Sequence, residues 1–135
     1  MKSVEKREYI QYRMETARKT FEAAQVLADS GFWNSVVNRL YYTLFYSVNA
    51  LLYLSDIPAK KHSSVKSQFN LYYVKTGKID KKYGQLLSEL FDWRQKGDYE
   101  NIFDYDQESV LPLFKPVEEM LTLVEGMIRE EFDEE

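Results

Sequence analysis

The run Trp33-Asn34-Ser35-Val36-Val37-Asn38-Arg39-Leu40-Tyr41-Tyr42-Thr43-Leu44-Phe45-Tyr46-Ser47-Val48-Asn49-Ala50-Leu51-Leu52 decides the fold. Trp33, Val36, Val37, Leu40, Tyr41, Leu44, Phe45, Val48, Leu51 and Leu52 recur at steps of three and four, the period of a helix face. The stripe is wide and predicts a helix ending near Ser55, just before Pro58. Upstream, Ile10, Met14, Ala17, Phe21, Ala24 and Ala28 keep the same step. They predict a helix from about Glu5 to Asp29, stopped by Ser30-Gly31.

Downstream, Val65, Phe69, Tyr72 and Tyr73 mark the buried side of a shorter helix over 64–75. Ser63 or Ser64 caps it, and Thr76-Gly77-Lys78 stops it. A further helix begins near Asp80, carries Tyr83, Leu86, Leu87, Leu90 and Trp93, and ends near Gly97. After a loop from Tyr99 to Tyr105, the last helix carries Val110, Leu113, Phe114, Val117, Met120, Leu121, Val124 and Ile128. Pro112 and Pro116 interrupt its approach, because proline removes a helical hydrogen bond and clashes with the preceding turn. Regular helix is expected from about Pro116. The chain thus reads as all-α, an up-and-down bundle of four long helices plus one short helix. Its core is the Trp33–Leu52 stripe packed on the first and last helices.

With 135 residues, 44% hydrophobic and 30% charged, the chain suits one domain over 1–135, with the acidic tail from about 129 frayed. The absence of cysteine excludes thiolate chemistry and fits a reducing, cytoplasmic setting. Met1–Glu8 is too charged for a signal peptide. The longest apolar run, around Ala50–Leu54, is too short to cross a bilayer. The net charge of −4 hides an asymmetry. From Lys60 to Lys82 seven lysines face Asp80 alone; from Glu118 to Glu135 eight acids face Arg129. The acids read as a solvated face, and the lysines leave an anionic partner open.

Several chemistries are excluded. His62 is the only histidine, and the acids lack a Glu-x-x-His spacing, so neither a His-only metal site nor a di-iron bundle is expected. No P-loop or Gly-x-Gly-x-x-Gly is present, and no cofactor is expected. The remaining polar cluster is Arg94-Gln95-Lys96-Gly97-Asp98-Tyr99. Arg94 and Asp98 stand four apart, on one helix face, where an exposed pair stabilises by only about 0.3–0.5 kcal/mol. Gly97 suits a left-handed helix end. The cation, carboxylate and phenol either hold a phosphate or staple two helices. Lys61 and His62 stand at the mouth of the short helix, where an N-terminus favours anions. Tyr41, Tyr42 and Tyr46 beside Arg39 can wall a cleft or simply fill the core.

Taken in order, Arg39-Leu40-Tyr41-Tyr42-Thr43-Leu44-Phe45, Ala50-Leu51-Leu52, Lys61-His62-Ser63-Ser64-Val65, Phe69, Val74-Lys75-Thr76-Gly77 and Arg94-x-x-x-Asp98-Tyr99 resemble the HEPN (higher eukaryotes and prokaryotes nucleotide-binding) domain. The likeness runs from about Ala17 to Met127 and is closest to a small stand-alone prokaryotic subfamily. It implies a homodimeric bundle, often encoded beside a minimal nucleotidyltransferase as toxin and antitoxin, and acting on RNA. Active HEPN toxins are metal-independent RNases whose motif is an arginine followed, four to six residues on, by a histidine. Arg94 matches the arginine, but Tyr99 stands where the histidine belongs. A phenol with a reference pKa of about 10 is a poor base near neutral pH. Catalysis therefore requires His62 to reach Arg94.

Three readings follow. The first is a partner of a nucleotidyltransferase that binds RNA, nucleotide or another phosphate-bearing ligand at His62, Arg94, Asp98, Tyr99 and Lys61. The second is an RNase using Arg94 with His62. The third is a structural dimer. In the first two, Asp98 is expected to orient Arg94 or His62. The resemblance also makes Tyr99 a target for adenylate transfer by the partner.

Overall fold

Two of the four long helices begin where a side-chain oxygen accepts an N-terminal N–H. The structure, a computed structural model, describes residues 3–99 and 104–134. Helix α1 spans Val4–Asp29, and the Ser3 hydroxyl accepts the Lys6 N–H at 3.1 Å. It closes in a Schellman motif: Phe32 N–H donates to Leu27 O, Gly31 N–H donates to Ala28 O, and Gly31 supplies the left-handed φ of 78°. Helix α2 spans Trp33–Leu54. Helix α3 spans His62–Phe69 and passes into a π-helical turn over Asn70–Val74. Helix α4 spans Lys81–Tyr99, with the Asp80 carboxylate accepting the Lys82 N–H. A short α5, Gln107–Val110, and a tight 3₁₀ turn, Leu111–Leu113, lead into α6, Phe114–Asp133.

Helix α2 is the axis of the bundle. It packs along α1, α4 and α6, and Val36, Val37, Leu40, Tyr41, Leu44, Val48, Leu51 and Leu52 are all buried. Contacts such as Lys6 with Asp56 and Tyr9 with Tyr53 join the start of α1 to the end of α2, so the pair is antiparallel. Arg18 bridges α1 to Glu125 on α6. The architecture is the expected all-α up-and-down bundle.

Four local expectations need correction. The short helix starts at His62, not Ser64. Ser64 lies one turn in, where its hydroxyl accepts the Lys61 N–H and donates to Lys61 O. Tyr72 is 45% exposed rather than buried. The π-turn bond from Lys75 N–H to Asn70 O spans five residues, which shifts the register and turns Tyr72 outward while Tyr73 stays in. Gly97 does not end α4, which continues to Tyr99. Residues 129–133 of the acidic tail, expected to fray, are helical, and the Phe132 ring lies 4.4 Å from the Arg7 guanidinium. Residues 100–103 of the expected loop lie outside the described residues.

Glycine is needed at Gly84 for close approach. A Cβ there would stand 2.5 Å from Asn70 Oδ1 and 3.2 Å from Val74 Cγ2, so side chains of the π turn pack against the α4 backbone. Gly84→Ala should crowd Val74 and force Asn70 to turn, an overpacking cost of about 1–3 kcal/mol from which alanine's helix preference over glycine removes about 1 kcal/mol, leaving a net loss of about 0–2 kcal/mol. Leu44, fully buried in α2, should cost about 2–5 kcal/mol as Leu44→Ala. Urea denaturation checks both; a Leu44→Ala loss below about 1 kcal/mol would contradict its placement.

Candidate functional site

Arg94 is on the last turns of α4, and side chains on a helix lean toward its N-terminus. Its guanidinium accordingly reaches back over Phe91, with Cζ 5.7 Å from the ring centre. It also lies 5.0 Å from the Tyr41 ring, 5.7 Å from Tyr42 and 6.0 Å from Tyr99. Arg94 is only 6% exposed, and its buried Nε has no hydrogen-bond partner. Among the described residues no carboxylate pairs with it. Among the described residues, the faces of Tyr41, Tyr42, Phe91 and Tyr99 surround the charge.

His62, the first residue of α3, enters the same box from the other side. Its ring stacks on Phe45 at 4.4 Å and packs against Tyr41, Tyr42 and Phe91. Its Nδ1 shares a hydrogen bond of 2.6 Å with the Tyr41 hydroxyl. Burial, and then the Arg94 charge, lower the His62 pKa from its ordinary value of 6.5, so the imidazole is neutral at pH 7. Burial pushes the Tyr41 hydroxyl well above its ordinary value, against the pull of Arg94. Tyr41 therefore keeps its proton and fixes the His62 ring as a neutral partner.

The structure thus brings His62 and Arg94 onto three shared rings. Tyr99 is at the rim, 70% exposed. Lys61 is exposed, directly before His62. Asp98 does not orient Arg94 or His62. Its carboxylate instead accepts from Asn38 Nδ2 at 2.9 Å, on the α2 side. The reason is partly sequence order: a base one turn before an acid is the poorer arrangement of a helical ion pair.

Sequence reasoning missed Phe45, Phe91, Lys66 and Asn38. The Lys66 ammonium lies 5.0 Å from the Phe91 ring, one turn beyond His62. Spacing was the available signal, since Phe91 precedes Arg94 by three and Lys66 follows His62 by four. Among the described residues no group of three or more His, Asp or Glu side chains is placed to hold a metal ion. No helix among them is long and apolar enough to cross a membrane. The box can therefore offer a forked cation, a neutral imidazole and stacking rings to an anionic, planar or sugar-bearing ligand.

A family model described as the HEPN domain matches residues 10–127. A UPF0332 protein of Thermotoga maritima is 36% identical over 126 residues, covering 93% of this chain and 96% of the relative. Two relatives come from Methanocaldococcus jannaschii. "Putative toxin MJ0142" is 36% identical over 95 residues, covering 70% of this chain and 65% of the relative. "Putative toxin MJ0605" is 37% identical over 93 residues, covering 69% of each. The family match takes in α2, α3 and α4, which build the box around Arg94 and His62, and on this match the chain belongs to the HEPN domain family.

Proposed function

We propose that this HEPN chain is the toxin-like member of a toxin–antitoxin-like pair and holds a phosphate-bearing ligand, RNA or nucleotide, at Arg94. The carrying observation is that Arg94 is buried with its Nε lacking a hydrogen-bond partner among the described residues. Burying a cation costs several kcal/mol. Each aromatic face returns only about 0.5–2 kcal/mol. A phosphate, which accepts a guanidinium's forked N–H donors bidentately, supplies the missing partner. The names of the two M. jannaschii relatives support the toxin half of the reading. The family likeness supports a minimal nucleotidyltransferase as partner, a homodimer and a cytoplasmic setting. Tyr99 is the candidate for adenylate transfer: its exposure gives an enzyme access, and the added negative charge would occupy the mouth of the Arg94 box.

A second reading is metal-independent RNA cleavage. The nearness of His62 to Arg94 favours it, because a histidine neutral at pH 7 can take the proton of a ribose 2′-hydroxyl. His62 would then do from α3 what the motif histidine does at the Tyr99 position. RNA incubated with the purified chain and a chelator separates the two readings. Cleavage abolished by both His62→Ala and Arg94→Met supports catalysis; binding without cleavage supports the ligand-holding reading.

Arg94→Met tests the shared premise. It keeps much of the side-chain volume and removes an unpaired buried charge, so thermal stability should hold or rise while RNA binding is lost. A large loss of stability would mark Arg94 as structural. The same variant removes one of the two causes that lower the His62 pKa. A lowered histidine pKa means the folded chain binds fewer protons than the unfolded chain just below pH 6.5, so stability falls as pH drops through that region. Arg94→Met should raise the His62 pKa in an NMR titration and shrink this loss.

A further inference from the structure

Arg39, on α2, is the second cation at the edge of the box. Its Cζ lies 5.2 Å from the centre of the Tyr42 ring, the ring that also meets Arg94 at 5.7 Å. Its Nε and Nη2 both donate to Asn38 Oδ1, at 3.0 and 2.7 Å. Asn38 Nδ2 in turn donates to Asp98 on α4. This amide orientation is the one that satisfies all three bonds. The relay has a particular electrostatic consequence. Asp98 fixes Asn38, and Asn38 fixes Arg39, yet the partner that touches the guanidinium is a neutral amide. Among the described residues no carboxylate forms an ion pair with Arg39. A guanidinium has five N–H donors, and this geometry commits two while leaving the charge unneutralised.

We propose that Arg39 is a second phosphate contact of the Arg94 site, positioned by Asp98 through Asn38, and that the ligand is a single RNA strand carrying successive phosphates. The proposal rests on the reading of Arg94 as a phosphate holder. One inorganic phosphate needs only Arg94; two arginines set on one tyrosine ring suit a polyanion whose bases can also stack on exposed aromatic faces. Asp98, Asn38 and Arg39 also line an open cleft of about 570 Å³ with Ser35 and Gly97. The Asp98 charge disfavours a phosphate in that cleft, which leaves the Tyr42 side as the path of the strand.

The test is fluorescence anisotropy of a labelled single-stranded RNA with the full chain, repeated over a range of salt. Each phosphate contact on a single strand contributes about 0.7 to the slope of log affinity against log salt. Arg39→Gln should weaken binding several-fold and lower the slope by about that amount. Arg39→Lys should keep most of the slope while losing affinity, because the ammonium retains the charge but not the fork. Asp98→Asn keeps an acceptor for Asn38 and should bind at least as tightly as the native chain. Asp98→Ala should bind several-fold more weakly than Asp98→Asn, although both remove the same charge. An unchanged slope in Arg39→Gln, with Arg94→Met still impaired, overturns the role of Arg39 and leaves the Arg94 site standing. Native affinity in Arg94→Met, or no RNA binding by the native chain, overturns the site and the inference together. Inorganic phosphate competing as well at equal charge as the RNA overturns the strand. Circular dichroism on each variant separates these results from unfolding.

Discussion

A guanidinium buried against aromatic faces is the constraint from which the rest of the site follows. Arg94 is withdrawn from water by Tyr41, Tyr42 and Phe91, and none of these offers it a hydrogen-bond acceptor positioned to take its Nε–H. The quadrupoles of three or four rings offset part of the desolvation cost, each contributing about 0.5–2 kcal/mol. The remainder is a desolvation cost that a bound anion would offset. Lysine would not serve the same purpose, because its compact ammonium is more strongly hydrated and lacks the planar fork that packs on a ring and meets a phosphate at once.

Tyr41 joins this site to the core. It lies on the buried face of α2, 1% exposed, so its position is set by the packing of the whole bundle. One ring face receives Arg94, while the hydroxyl holds His62. The seat of α3 depends in turn on the π turn and on Gly84, whose missing side chain lets Asn70 approach α4. A disturbance at Gly84 therefore displaces the element that carries His62, although the glycine itself faces no ligand. A charged ligand bound there would meet a site already ordered, with no added cost of loop ordering.

The sequence revealed most of the bundle because burial is periodic. Leu40, Leu44, Val48 and Leu51 can point inward together only on a helix, and α2 forms where their spacing requires. Reading failed where a local bond departs from that period. Tyr72 follows the α-helical step of Phe69, but a five-residue bond at Lys75 rotates it out of the core. Gly97 resembles a helix stop, yet its value is proximity: a Cβ there would stand 3.2 Å from the Tyr105 ring. In the site, Arg94 and His62 were legible as polar residues at helix ends. The partner of Asp98 was not, since Asn38 is sixty residues away and meets it only through the packing of α2 on α4.

The HEPN resemblance would put a histidine where Tyr99 stands, and that difference bears on the charge around Arg94. A histidine five residues from the arginine would ride on the same chain segment. His62 instead arrives on α3, and the Arg94 charge helps keep it neutral. A phosphate bound to Arg94 would cancel that influence and bring a negative charge toward the imidazole. Both effects favour imidazolium, so ligand binding and His62 protonation reinforce each other, and by linkage each must strengthen the other to the same degree. The chain as it stands favours a neutral imidazole, and a phosphate bound at Arg94 would favour the protonated form. A general base acts with its substrate already bound, so this coupling would work against His62 as a base and would favour it as an acid or as a second cation beside the phosphate.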